Sequence, residues 1–152
     1  YITLFAILFS FNLFGAASDS NSNANVDNSD QIKILYELSE KHIKNNDYKK
    51  SLKILKALTK REDLGNFRAD IYNLLGFSYR KMDNPNLDKS FAAYMMAIEI
   101  DPEHLGAHEY LGELYLMMGN KIKANEMLSI LNKLAGNSSK EYKELKLAID
   151  NF

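Results

Sequence analysis

The chain has 152 residues, 46% hydrophobic and 26% charged, with two prolines and seven glycines, which bounds it to one globular domain of ordinary composition. It has no cysteine, so disulfides, thiolate nucleophiles and cysteine-ligated zinc are excluded. The formal net charge is -1, and removing Asp19, Asp27 and Asp30 leaves 19 basic against 17 acidic residues in 31–152, a balance that gives no phosphate-neutralising stripe for nucleic acid.

The first residues, "YITLFAILFSFNLFGAAS", form a short uncharged apolar run that ends in small side chains. A membrane-spanning helix needs roughly 20 apolar residues, so the run suits a secretory signal peptide, with a cleavage site at Gly15-Ala16-Ala17. This predicts a signal over 1–17 that lacks its basic leader, and an exported, periplasmic protein with no stable membrane insertion after cleavage. The alternative is an anchor retained through 2–17. Residues 18–30, "SDSNSNANVDNSD", carry one Val as their only sizeable apolar side chain and read as a disordered polar linker.

From Gln31 the chain alternates between apolar residues at helical spacing and short breaks, "NND" at 45–47, "DNPN" at 83–86 and "GN" at 119–120. Scarce Pro and Gly with plentiful Leu, Lys, Ala and Glu favour helix over strand. One pattern recurs: Tyr72-x-x-Leu75-Gly76-x-x-Tyr79 returns as His108-x-x-Leu111-Gly112-x-x-Tyr115, and Leu35-x-x-Leu38-Ser39-x-x-His42 is a weaker earlier copy. The following helices match too, in Ser51, Leu55 and Leu58, in Ser90, Tyr94 and Ala97 before Pro102, and in Ala124, Leu128 and Leu131. Gly in a helix interior costs about 1 kcal/mol against Ala, so its recurrence at one site calls for a packing reason. Small Gly76, Gly112, Ser90 and Ala124 are expected at helix crossings, with the large residues filling the space between repeats.

These residues resemble the tetratricopeptide repeat, a helix-turn-helix unit of about 34 residues with W-x2-L-G-x2-Y, then A-x3-F and a terminal Pro. The stretches "NLLGFSYRKM" and "AHEYLGELYL" are similar to small exported tetratricopeptide proteins of alphaproteobacteria, without the cysteine pair that group often carries before its last helix. The resemblance implies an all-α, right-handed α-solenoid with repeats over 31–64, 65–102 and 103–136. The residues beyond the usual period fall in "REDLGNF" and "MDNPN", where they lengthen turns.

A solenoid needs its last apolar face covered. Residues 137–152 suit a capping helix packed on the second helix of the third repeat, with Ser138 and Glu141 as a capping box and Tyr142, Leu145, Ile149 and Phe152 on one face.

His104 and His108 raise the question of a metal site. H-E-x-x-H would need histidine at 112, where this chain has Gly112, so the zinc-protease motif is broken at a ligand. A site from His104, His108 and a carboxylate remains an alternative by spacing. His108 also stands at the repeat's large aromatic position, as His42 stands where other copies have Tyr, while His104 reads as solvated. Met95-Met96 and Met117-Met118 read as core filling rather than a soft-metal surface. No catalytic constellation, resident metal or cofactor is expected.

Binding remains, and the resemblance implies that the first helix of each repeat lines a concave groove. The groove-facing residues would be Lys33, Tyr36, Glu40 and Lys44, then Asp70, Asn73, Phe77, Arg80 and Lys81, then Glu109, Glu113, Leu116 and Met117. Basic in the middle and acidic at one end, such a groove suits an extended peptide or helix of mixed charge. Glu109 and Glu113 stand where a carboxylate clamp would want basic residues. The expected function is a non-enzymatic protein-interaction module in the cell envelope, with a protein or peptide partner and homo-oligomerisation open. The alternatives are a metal-binding or hydrolytic protein using His104 and His108, and a self-assembling structural protein.

Overall fold

Most turns between helices end where the sequence offers a side-chain oxygen to the unpaired N–H groups of the new helix. The computed structural model describes residues 27–152. Among them seven α-helices follow one another: α1 (Asn28–Lys44), α2 (Tyr48–Leu58), α3 (Arg68–Lys81), α4 (Leu87–Ile100), α5 (Leu105–Met117), α6 (Lys121–Ala135) and α7 (Lys140–Asp150). A short 3-10 turn, Gly65–Phe67, leads into α3. No helix among the described residues is long and apolar enough to cross a membrane. The expected signal at 1–17 and most of the linker lie outside the described residues. The linker's last three residues are helical, because α1 starts at Asn28.

The pairs α1–α2, α3–α4 and α5–α6 are joined by equivalent turns. Asp47, Asn86 and Asn120 each cap the second helix, accepting from the backbone N–H of Lys50, Lys89 and Lys123. Their own N–H groups donate to the carbonyls of His42, Tyr79 and Tyr115, at 2.8, 3.1 and 2.8 Å. Two of these turns need a left-handed residue, supplied by Asn46 (φ 57°) and Gly119 (φ 75°). The turn after α3 carries the residues added by "MDNPN", so the insertion lengthens the loop and leaves both helices intact.

Apolar side chains from both helices of each pair gather into three core clusters along the solenoid. Leu55, Leu58 and Ile71 are fully buried between α1, α2 and α3, Tyr94, Leu111 and Leu114 between α4 and α5, and Leu131 and Leu145 at the C-terminal end. The small residues sit where helices cross. Ser90 Oγ donates to the Gly76 carbonyl at 2.8 Å, and a Cβ on Gly76 would meet the Tyr94 ring at 2.7 Å. Ser51 and Ser78 hydroxyls meet at 3.2 Å in the same buried role between α2 and α3. At Gly112 the nearest side chain comes from α7: a Cβ there would meet Leu145 Cδ2 at 2.5 Å. Gly112 therefore admits the capping helix, which packs on both α5 and α6.

Three expectations change. The cap of α7 is Ser139, whose hydroxyl accepts from the Tyr142 N–H, because the helix starts one residue later than a Ser138 cap requires. Phe152 lies past the end of α7 and is exposed, with Lys121 Nζ 5.8 Å from its ring centre. Met95, Met96, Met117 and Met118 are exposed rather than core, since α4 turns them outward and the other two end α5. Leu38 is exposed also, because no described element covers that side of α1.

Candidate interaction groove

An open cleft of about 330 Å³ runs along the first helices of successive repeats. It is lined by Glu40, Ile43 and Lys44 of α1, Leu74 and Phe77 of α3, Tyr110 of α5 and Lys140 of α7. Three expected groove residues, Glu40, Lys44 and Phe77, are thus brought together. Lys81 is exposed beside them, its Nζ 5.7 Å from the Phe77 ring centre. Tyr36 is half-buried at the margin, where its hydroxyl donates to Glu40 at 3.4 Å and its ring lies 5.3 Å from Phe67. Burial, with the nearby Asp70 and Glu40 carboxylates, pushes its phenol well above the ordinary range.

Arg80, Asn73, Glu109 and Leu116 do not face the groove. They are 5, 7, 4 and 7% exposed. Leu116 joins the α6–α7 core. Arg80 lies beneath the cleft floor, its Cζ 5.5 Å from the Phe77 ring centre and 5.4 Å from that of Tyr110. Its Nε donates to the Tyr94 hydroxyl at 3.2 Å and its Nη1 pairs with Glu113, while Nη2 has no partner. Burial opposes the charge, but Tyr94 and Glu113 more than offset it and hold the guanidinium protonated. Phe77 and Tyr110, 5.0 Å apart, therefore form an aromatic patch fixed from below by a buried cation. Glu113 is spent on Arg80, so the acidic end expected of the groove is largely internal.

Glu109 is covered by α7. Burial first, then Glu144 beside it and the charges of Glu113 and Glu141, push its carboxyl up to about 8. In the unfolded chain it ionises near 4.5, so between these values the folded state holds the extra proton, and stability falls as pH rises through that window. Glu109→Gln is expected to raise stability at pH 8 by on the order of 2 kcal/mol, to change little below the unfolded pKa, and so to flatten the pH profile seen in urea titrations.

The two histidines of the possible metal pair are engaged separately. His104 is not simply solvated. It caps α5, with Nδ1 accepting from Ala107 N–H at 3.1 Å and Nε2 lying 3.2 Å from Asp70 on α3. Burial pulls its pKa down, but the Asp70 hydrogen bond and charge outweigh this and leave it raised. His108 is buried, its Nε2 2.8 Å from the Pro102 carbonyl, so it fills the aromatic position and pins the chain entering α5. Among the described residues no group of three His, Asp or Glu side chains is placed to hold a metal ion. His104→Ala is expected to cost about 1 kcal/mol in denaturant unfolding, as for other lost N-caps.

Tyr110 and Lys140 were missed by the sequence reading. Tyr110 had a signal, a large aromatic one position before Leu111 on a face the repeat pattern leaves free. Lys140 had none, since its place depends on how α7 folds back.

No family model matches the chain. It is 32% identical to Tetratricopeptide repeat protein 37 of Xenopus laevis over 104 residues, which is 68% of this chain and 6% of that protein. Among solved structures it is similar to the Yersinia enterocolitica type III secretion chaperone SycD in complex with a peptide of the translocator YopD, with a TM-score of 0.66 and 22% identity, covering 81% of this chain and 89% of that one. It is also similar to MamA, with a TM-score of 0.65 and 21% identity, covering 83% and 70%.

Proposed function

We propose, since this chain is a tetratricopeptide-repeat solenoid, that it is a non-enzymatic protein-binding module whose concave cleft takes an extended segment of a partner protein. The observation that carries the reading is the Phe77–Tyr110 patch, 5.0 Å between ring centres, open to a cleft whose lining carries Lys44, Lys140 and Glu40, with Lys81 beside it. Such a floor suits an apolar or aromatic side chain of the ligand, and the rim suits acidic groups beside it. The likeness in fold to a chaperone crystallised with a peptide supports binding of a peptide segment by this chain. The run at 1–17 supports placing the protein in the cell envelope.

The test is selection of peptides from a random library on the full chain, with affinities read by fluorescence anisotropy. Phe77→Ser is expected to weaken the selected peptides about tenfold or more, as for loss of a central anchor. Met95→Ser on α4 is expected to leave them unchanged. Peptides that depend on Met95 and ignore Phe77 would contradict the reading.

A further inference from the structure

Among the described residues the two ends of the solenoid are finished differently. At the C-terminal end α7 covers the last pair with Leu145 and Ile149, both buried. At the other end, among the described residues, no helix lies outside α1 and α2. A trough of about 460 Å³ opens there, floored by Leu35, Ile54 and Ala57 and edged by His42, Lys50 and Lys53. Leu38, 39% exposed, continues apolar surface along α1.

The charge on this face is one-sided. From Tyr48 to Arg61 the chain carries Lys49, Lys50, Lys53, Lys56, Lys60 and Arg61 and no acidic residue. Lys50 pairs with Asp47 and Arg61 with Asp63, whereas Lys53, Lys56 and Lys60 make no ion pair among the described residues. Lys49, Lys53, Lys56 and Lys60 recur at helical spacing along a second shallow cleft, with Leu52 and Ala57 between them. Lys50 is neutralised by Asp47 and Lys56 lies over the Tyr79 ring, but Lys53 and Lys60 have no ion pair among the described residues, so a net positive ridge stands beside the apolar trough.

We propose that this face docks an acidic amphipathic helix of a partner protein. Its apolar stripe would lie on Leu35, Ile54 and Ala57, and its Asp or Glu flanks on Lys50, Lys53 and the ridge beyond. Apolar anchors at successive turns with charged flanks are the way a helix recognises a groove. A second copy of this chain fits poorly, since a two-fold contact sets the same lysines against each other. A flat lipid surface cannot reach a floor recessed between two helices. The face is separate from the concave cleft, so a partner held there would leave the cleft free.

The test uses the full chain and a synthetic helix with Leu at every third or fourth position and Glu elsewhere, beside a twin with Lys for Glu and a scrambled Glu peptide. Amide chemical shifts are expected to move at Leu35, Ile54 and Ala57 and not at Phe77 or Tyr110. Lys50→Glu with Lys53→Glu is expected to weaken the Glu helix about fivefold and to favour the Lys twin instead, with the fold checked by circular dichroism. Any of four results would overturn the proposal: equal binding of the scrambled peptide, shifts confined to the cleft, dimers in light scattering that the double variant dissolves, or lysine-dependent binding to vesicles of anionic phospholipid without binding of the helix.

Discussion

Gly76→Val is expected to lower the unfolding free energy by about 3 kcal/mol, at the upper end of what overpacking a filled interior costs. A Cβ at this position would meet Cδ1 and Cε1 of Tyr94 at 2.7 Å, and that ring is fully buried between α3, α4 and α5. The ring has nowhere to move. Its hydroxyl is held by Arg80, and the Gly76 carbonyl behind the contact accepts from Ser90. Gly76→Ala meets the same atoms but regains about 1 kcal/mol of helix propensity, so its loss should be smaller. Gly112→Ala is milder again, because its neighbour is the tip of Leu145 on the terminal helix, which can shift. Urea unfolding followed by helical circular dichroism gives the order. A stabilised Gly76→Ala would mean that the ring does not lie over the glycine.

Removing the buried cation is the second large effect. Arg80→Met keeps the length of the side chain and deletes its charge, leaving Glu113 without a counter-ion and the buried Tyr94 hydroxyl without its donor. The expected loss is about 2 to 3 kcal/mol, below the full cost of orphaning a buried charge because Glu113 is 26% exposed and can turn to water. Glu113→Gln added to Arg80→Met should cost less than the sum of the two single changes, the mark of a coupled pair. A loss below about 0.5 kcal/mol would place Arg80 on the surface after all. Arg80 therefore cannot serve as a surface probe of binding, since changing it disturbs the floor of the cleft as well as its charge.

The repeat was legible because packing demands particular sizes at fixed intervals. Tyr72, Leu75, Gly76 and Tyr79 recur as His108, Leu111, Gly112 and Tyr115 for the same reason in each copy, and the caps Asp47, Asn86 and Asn120 follow from the chemistry of helix starts. The groove was less legible. Register gives the angle at which a side chain leaves its helix, but not the depth of what lies above it. Tyr36, Asn73 and Glu109 share one register, yet Tyr36 is half-buried at the first pair while Glu109 is closed over by α7. Lys44, Lys81 and Met117 share another and are all exposed, each being the last residue of its helix. Arg80 misled because a long side chain can fold inward when Tyr94 and Glu113 supply partners, and neither partner is near it in sequence. The lysines of α2 escaped notice because the count over the whole chain nearly balances and hides a local excess.

The most direct measurement of the central claim is site-specific photo-crosslinking in the native cell, from a photoreactive residue placed at Lys44, at Lys81 or at Glu99. All three positions are exposed, the first two beside the cleft and the third on α4. A protein-binding concave face predicts one shared crosslinked protein from 44 and 81 and none from 99. A partner captured from 99 alone would contradict it.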